Sequence, residues 1–191
     1  ARIQYSNQFQ DLLLQKKFFF LDEVGVNICM RSRYGRARSG ETPILTAPGI
    51  RSRNMSICAA INKGGAKFFR QQNTAFNGTT FANFIQDFVT WLNAGNFTKC
   101  TIVMDNVAFH KSENVKTLFE TAGHEILFLP PYTPQFNPIE NMFAKWKDYI
   151  RCAAPNNGDE LNRLIDEGFD RISNEDCNGF FRQMMRELRG L

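Results

Sequence analysis

Residues 100–131 read CTIVMDNVAFHKSENVKTLFETAGHEILFLPP, a stretch in which two apolar runs flank an amphipathic segment. The run Cys100–Asp105 predicts a strand, and Ser112 begins a helix near Val115–Ala122. Glu125–Leu129 predicts a second strand, which two prolines end. A helix between two strands of one sheet usually brings the second strand back parallel to the first. The stretch therefore predicts a strand–helix–strand unit of an α/β domain.

Three further strands are predicted upstream of this unit. Lys17–Met30 is apolar and rich in strand-forming residues, and we expect one strand there, with a bend at Gly25. Met55–Asn62 and Lys67–Gln72 are short apolar runs. The glycine pair in the intervening Lys63-Gly64-Gly65-Ala66 supplies the positive φ angles of a tight hairpin. These two runs are therefore predicted as antiparallel strands.

Further amphipathic segments predict helices around these strands. Thr79 or Thr80 is expected to cap the first of them and Gly95 to end it, while Asn137 is expected to cap the second. The predicted helices carry the stripe Phe81–Leu92, run from Pro138 to about Cys152, and cover Glu160–Arg171 and Asn174–Leu188. This order of elements predicts an α/β, ribonuclease H-like fold, with a mixed sheet flanked by helices.

The composition indicates one globular domain. Its 191 residues fit a core over about 17–153 with C-terminal helices over 159–189, and no apolar run is long enough to span a membrane. The five cysteines form no CxxC pair, which argues against a disulfide framework and a structural zinc site and favours a reducing, intracellular setting. The net charge of +4 permits a polyanionic partner without requiring one.

Three carboxylates lie in segments that this predicted fold would bring close together. Asp22 lies in the first strand and Asp105 ends the fourth, so parallel pairing would bring them together. The helix that carries Glu140 follows the next strand back toward the edge where open α/β sheets bind ligands. Clustered carboxylates repel one another unless a cation neutralises them, and their oxygens suit Mg²⁺ or Mn²⁺. Two such ions, roughly 3.5 to 4 Å apart, can promote phosphoryl displacement. Spacing alone does not establish such a site.

The residues around these acids resemble motifs of the mariner-like DDE transposase superfamily. The matching blocks are FFLDE at 19–23, VMDN at 103–106 with His110, and LPPYTPQFNPIEN at 129–141. The last block is the most specific. The second and third acids are separated by 34 intervening residues, 106–139, as in one large branch of that superfamily. The resemblance covers roughly Lys17 to Ile150.

The resemblance implies that Asp22, Asp105 and Glu140 are the catalytic metal ligands. The family cuts transposon ends by hydrolysis and then uses the freed 3′-hydroxyl to attack target DNA. It further implies two Mg²⁺ or Mn²⁺ ions, DNA as the partner and a homodimer on DNA, because the segment after the first strand can clamp a partner subunit. We expect a nuclear location if the source is eukaryotic and a cytoplasmic one if it is bacterial.

Several neighbouring residues have two interpretations. Asn106 and His110 either orient a carboxylate, contact phosphate or cap the helix that begins near Ser112. Glu23 should point to the opposite face of its strand from Asp22 and make a structural contact, and His124 is expected to be structural.

Phosphate contacts are expected for arginines of an exposed loop over Arg31–Arg53 and for one lysine. These residues are Arg31, Arg33, Arg36, Arg38, Arg51, Arg53 and Lys145.

Two other functions compete with transposition. One is a domesticated, transposase-derived DNA-binding module without activity, and the other is a different ribonuclease H-like nuclease. The intact acids argue against the first, and the block at 129–141 argues against the second. Because the sequence opens at Ala1 without a signal-peptide pattern, we expect a fragment that lacks the helix-turn-helix region that reads transposon ends in this family.

Overall fold

The computed structural model describes residues 17–30, 36–42, 44, 54–65 and 67–190. Within these ranges five strands form one mixed sheet in the order β3-β2-β1-β4-β5. Strands β1 and β2, and β2 and β3, pair antiparallel, whereas β4 is parallel to both β1 and β5. The strands are β1 Lys17–Val26, β2 Met55–Ile61, β3 Lys67–Gln72, β4 Cys100–Met104 and β5 Glu125–Phe128.

The first strand is shorter than predicted. It ends at Val26, opposite Met55 at the start of β2, and the backbone N–H of Met30 then closes a turn onto the carbonyl of Asn27. Pairing is continuous through Gly25, which lies opposite Ser56, so the register shows no interruption there. The prediction of a strand reaching Met30 was wrong because its pairing partner begins only at Met55.

The predicted hairpin is confirmed, with one change in its turn. Of the two glycines, only Gly65 has a positive φ, +87°, and its N–H donates to the carbonyl of Asn62. A Cβ at Gly65 would also overlap Oδ1 of Asn174, so a side chain has no room there. The turn therefore depends on Gly65 for both its conformation and its packing.

Five α-helices surround the sheet in the described ranges, joined by two short 3₁₀ helices that the sequence did not predict, Ala108–Lys111 and Pro134–Phe136. The first α-helix is capped by Asn77, whose side chain accepts from the N–H groups of Thr79 and Thr80, so the prediction of a threonine cap was wrong. The α-helices are α1 Gly78–Ala94, α2 Glu113–Thr121, α3 Pro138–Ala153, α4 Gly158–Asp170 and α5 Asn174–Arg189.

Alternation along β1 divides the core into two layers. Phe18 and Phe20 belong to the cluster that includes buried residues of α3, α4 and α5. Phe19 and Leu21 belong to the opposite cluster, with α1 and α2. Because successive strand side chains point to opposite faces, Asp22 is placed on the α3 side of the sheet.

The C-terminal helices pack closely against α3. Trp146 is 1% exposed and its indole N–H donates to the carbonyl of Ile165 in α4 at 2.9 Å. A Cβ at Gly168 would lie 2.6 Å from the Trp146 ring, so this approach requires a glycine. Met142, Phe143 and Trp146 of α3 are all core residues.

All five cysteines are free thiols. In the part of the chain that the structure describes, no helix is long and apolar enough to cross a membrane.

Candidate active site

The β1–β4 register explains how the first two acids come to the same cleft. Phe20 lies opposite Val103 in the parallel pair, and Asp22 and Asp105 each follow two residues later. Equal steps along parallel strands reach the same level of the sheet. Asp105 comes directly after the last residue of β4, at the carboxyl edge where the chain leaves the sheet. The parallel pairing predicted from the sequence therefore determines this convergence.

The segment between β5 and α3 brings in the third acid. Thr133 is almost fully buried and its hydroxyl donates to the carbonyl of Pro130 at 2.6 Å, which folds the chain back on itself. The buried Phe136 anchors the following turn, and Pro138 begins α3. Glu140 lies in the first turn of α3, where the helix dipole favours a negative charge.

The three acids line one open cleft of about 490 Å³. Asp22 comes from β1, Asp105 from the end of β4 and Glu140 from α3, so three separate elements contribute. The remaining lining residues come from the segments that follow β4 and β5: Asn106, Val107, Leu129, Pro130, Pro131, Tyr132, Thr133, Pro134 and Asn137. The cleft thus joins the motifs singled out in the sequence.

Asn137 binds Asp22 across the sheet–helix junction. Its Nδ2 donates to Oδ2 of Asp22 at 2.8 Å, whereas its side chain makes no capping bond to α3, contrary to the sequence prediction. The backbone N–H of Glu23 donates to the other oxygen of Asp22 at 2.8 Å. Oδ1 of Asn137 is buried without a hydrogen-bond partner in the described structure.

Burial dominates the ionisation of Asp22. It raises the pKa of this carboxyl from 3.8 to about 7, and repulsion from Glu23, Glu140 and Asp105 adds to the shift, while the Glu23 N–H opposes it. A nearby cation would relieve both the repulsion and the burial penalty on the charged form.

His110 bridges the carboxylates of Glu23, in β1, and Asp105, directly after β4. Its imidazole is fully buried, with Nε2 3.0 Å from Oε1 of Glu23 and Nδ1 2.7 Å from Oδ1 of Asp105. The contact with Asp105 is close but poorly aligned for a hydrogen bond, since Nδ1 has no partner of good geometry; we therefore describe it as an ion pair. Burial lowers the pKa of His110, but the two carboxylates outweigh it and raise the value to about 9.

The pKa of Asp105 is shifted in the opposite direction from that of Asp22. Burial raises its pKa, yet the contact with His110 and the N–H of Val107, which donates to Oδ1 at 3.2 Å, bring the pKa below its ordinary value. The next residue, Asn106, donates from Nδ2 to the carbonyl of Leu129 at 2.6 Å and so ties the ends of β4 and β5 together. Neither Asn106 nor His110 makes a side-chain cap on α2.

Glu23 points away from the cleft, as its strand position predicts. Besides His110 it contacts Cys58, whose Sγ lies 3.6 Å from Oε1 and donates to it. Burial, followed by the charge of Glu23, raises the pKa of the Cys58 thiol well above its ordinary value. The predicted structural contact of Glu23 is therefore present and involves a histidine 87 positions away in the sequence.

The donor set of the cleft suits a hard divalent cation, although its side chains are turned to partners within the protein. Among the residues that the structure describes, no group of three or more His, Cys, Asp or Glu side chains is arranged to hold a metal ion. Oxygens of Asp22 are engaged by Asn137 and Glu23, and Asp105 contacts His110. The raised pKa of Asp22 and the unpartnered Oδ1 of Asn137 are the observations that fit a cation at this cleft.

Of the residues predicted to contact DNA, the three that the structure describes, Arg36, Arg38 and Lys145, do not line the cleft. Lys145 forms an ion pair with Asp176 of α5 at 2.5 Å and does not line the cleft. Arg36 and Arg38 are exposed. The other predicted arginines, Arg31, Arg33, Arg51 and Arg53, lie outside the described residues. His124 is structural as predicted, because its buried Nδ1 accepts the N–H of Cys100 at 3.2 Å.

A protein family and several solved structures resemble this chain. Residues 17–162 match the family model described as DDE superfamily endonuclease. No curated protein matches the chain. The solved structures that resemble it include the "Mos1 transposase paired-end complex with left transposon end" and the "Crystal structure of the Mos1 mariner paired end complex with Mn". Each has a TM-score of 0.82 at 15% identity, and the alignment covers 98% of this chain and 59% of the other.

A third match isolates the corresponding domain. The "Crystal structure of the catalytic domain of Mos1 mariner transposase" aligns with a TM-score of 0.75 at 12% identity, over 98% of this chain and 88% of the other. The chain thus spans about three fifths of the transposase chains in the paired-end complexes and most of the catalytic-domain chain. The likeness confirms the predicted ribonuclease H-like fold. Since the family model matches well over half of its residues, this chain belongs to the DDE superfamily endonucleases.

Proposed function

We propose that this chain is the catalytic domain of a DNA transposase, which cleaves DNA strands at transposon ends and transfers them to target DNA. The observation that carries the proposal is the convergence of Asp22, Asp105 and Glu140, from three separate elements, on one open cleft. We assign these three acids as catalytic residues and metal ligands.

Mg²⁺ or Mn²⁺ is the cofactor that this donor set would take, since hard cations prefer carboxylate and amide oxygens. Mos1 complexes have been described with each of these metals. Two ions at such a site would activate an attacking water or hydroxyl group and stabilise the leaving oxygen of the phosphodiester. We propose two ions, both held by the three acids.

Neighbouring residues favour the charged form of one acid and fix the orientation of another. His110 and the N–H of Val107 favour the charged form of Asp105, which makes that carboxylate ready to bind a cation at neutral pH. Asn137 and the N–H of Glu23 fix the orientation of Asp22. The partners that orient metal-binding side chains typically change metal affinity or activity by about 10–100-fold when removed. Asn137 and His110 are therefore positioning residues in this proposal.

DNA is the substrate and partner in this proposal. The Mos1 relatives were solved with a transposon end and as a strand transfer complex. We propose that Arg36 and Arg38, together with Arg31, Arg33, Arg51 and Arg53, contact phosphates and that two copies act together on DNA. The working site would be intracellular, in the nucleus of a eukaryote or the cytoplasm of a bacterium.

The test is strand cleavage by the purified chain. Supercoiled plasmid incubated with Mn²⁺ or Mg²⁺ should be nicked, and a labelled duplex with a free 3′-hydroxyl should join to it. Asp105→Asn, which retains the shape of the side chain, should reduce both reactions by at least the upper end, about 100-fold, of the loss seen when a residue that orients a metal ligand is removed.

The matched control is Asp148→Asn, which changes an exposed acid of α3 that pairs with Arg151 and does not line the cleft. It should leave nicking unchanged. Equal nicking by wild type and Asp105→Asn would reject the assignment. Metal-independent DNA binding without any cleavage would favour a DNA-binding module instead.

A further inference from the structure

A second groove lies between the β2–β3 turn and α5. It has a volume of about 470 Å³. Its lining combines basic and apolar side chains without any acid: Lys63, Phe181, Arg182, Met184, Met185, Arg186 and Arg189. None of these residues belongs to the cleft that holds the three acids.

The basic residues of this groove form a single charged face. Arg182, Arg186 and Arg189 are spaced by four and three positions, so they project from the same side of α5. Lys63 adds a fourth cation from the hairpin turn, and all four are exposed. Within the described ranges none of the four forms an ion pair, whereas lysines and arginines elsewhere do: Arg70, Lys116, Lys145, Arg151 and Arg163.

The helix that carries these arginines, α5, packs firmly against the core. Phe181 is 3% exposed and packs edge-to-face on Phe20 at 5.3 Å, while Met184 is fully buried. Phe20 lies two residues before Asp22 on the same face of β1. Helix α5 also contacts the Pro134–Phe136 turn, which borders the cleft. The basic face is therefore fixed to the same scaffold as the acids.

The offset between the groove and the cleft along the strand direction is small on the scale of DNA. Ile61 pairs with Phe20, so Lys63 lies near the level of Phe18, four residues along β1 from Asp22. Four strand residues span about 13 Å, and B-DNA carries about eight backbone charges over that axial length. The offset along the strands is therefore shorter than one turn of B-DNA.

We propose that this groove binds the phosphate backbone of duplex DNA, independently of sequence, as a contact additional to the catalytic cleft. The proposal rests on the proposed function, since it assumes a DNA substrate. Guanidinium groups pair well with phosphates, and four unpaired cations without a lining acid complement a polyanion. Contacts to phosphate oxygens carry no sequence information, so backbone binding at this groove should have similar affinity for any sequence.

The test compares two charge-matched triple variants by fluorescence anisotropy with a labelled random-sequence duplex in EDTA, where no metal-dependent cleavage occurs. The test variant is Arg182→Gln/Arg186→Gln/Arg189→Gln. The control, Arg70→Gln/Lys99→Gln/Arg163→Gln, removes the same charge from exposed positions outside the groove. Circular dichroism melting should show both variants folded, because all six side chains are exposed.

We expect the groove variant to bind at least about tenfold more weakly at 150 mM salt. The slope of log K against log salt should fall by about 0.9 for each phosphate that the variant no longer neutralises. Arg182→Lys/Arg186→Lys/Arg189→Lys should restore most of the slope. A groove variant no weaker than the control would overturn the proposal. So would unchanged DNA binding with loss of self-association in sedimentation, because the groove would then be a protein interface.

These outcomes separate the two proposals. If wild type binds and nicks DNA while the groove variant binds like the control, only the groove assignment fails. If wild type neither binds nor nicks DNA, the proposed function fails with it.

Discussion

The side-chain amide of Asn137 donates a 2.8 Å hydrogen bond to Oδ2 of Asp22, across 115 positions of sequence. We predict that Asn137→Ala raises the Mn²⁺ concentration needed for half-maximal nicking by about 10–100-fold, because Asp22 loses the donor that orients it. A metal titration of plasmid nicking measures the shift. The fold should survive, which a thermal melt checks.

Asn141→Ala is the matched control. Asn141 lies four residues later on α3 and is not among the residues that line the cleft. Removal of the Asn141 side chain should leave the Mn²⁺ concentration for half-maximal nicking the same as in wild type. If Asn137→Ala and Asn141→Ala titrate alike, the hydrogen bond to Asp22 has no role in metal use.

The ionisation of Asp22 predicts a pH-dependent stability. Its pKa is raised from 3.8 to about 7, mainly by burial, so stability is lost as pH rises through that window in metal-free protein. We expect Asp22→Asn to match wild type near pH 4 and to be more stable at pH 8, by up to about 4 kcal/mol at 1.36 kcal/mol per pKa unit. Urea unfolding across this pH range measures the difference.

Divalent cations provide the counter-test. Mn²⁺ should stabilise wild type at pH 8 because it favours the charged carboxylate, and it should stabilise Asp22→Asn much less. Equal thermal shifts in both proteins would place the cation away from Asp22.

The sequence predicted the local elements of this fold better than its long-range contacts. The apolar runs of β1 and β4, with a helical crossover that leads into β4, were enough to predict parallel pairing of these two strands and hence the meeting of Asp22 with Asp105. The cap at Asn77 was missed because neighbouring threonines have similar capping chemistry. Helix ends differed from prediction by a few residues, as fraying polar ends allow.

The contacts that orient the acids could not be predicted in the same way. Asn137 has the residue type and position of an N-cap, and local pattern gives no sign that its amide turns instead to Asp22. The bridge from Glu23 through His110 to Asp105 joins the start of the fold to the loop after β4. Only the packed sheet brings these side chains together, so only the three-dimensional structure reveals them.

His110 predicts a pH dependence of the opposite kind. Its pKa is raised from 6.5 to about 9 by Glu23 and Asp105, against the effect of burial, so its stabilising contribution is full below about pH 6.5 and is lost as pH rises through 9. We expect His110→Gln to be about 3–5 kcal/mol less stable than wild type at pH 6, since two carboxylates lose their buried cation. This difference in the free energy of unfolding between His110→Gln and wild type should become smaller by pH 9.5.

His124→Gln serves as the comparison, because His124 is buried, forms no ion pair with a carboxylate among the described residues, and has its pKa lowered by burial. Urea unfolding of the two variants between pH 6 and 9.5 gives the test. A stability gap for His110→Gln that stays constant with pH would mean that the imidazole is neutral in the folded protein.

Tyr132 combines an unfavourable backbone conformation with an exposed ring. Its φ is +57°, its side chain is 93% exposed, and it lines the cleft. A non-glycine residue in this left-handed region costs about 1–2 kcal/mol, and asparagine tolerates it better. Tyr132→Asn should therefore raise the free energy of unfolding by up to about 1 kcal/mol while lowering nicking, because it removes the exposed aromatic ring from the cleft. Tyr132→Phe retains the conformational cost and should give no such gain; a nicking rate for Tyr132→Asn equal to that of wild type would show that the ring has no part in cleavage.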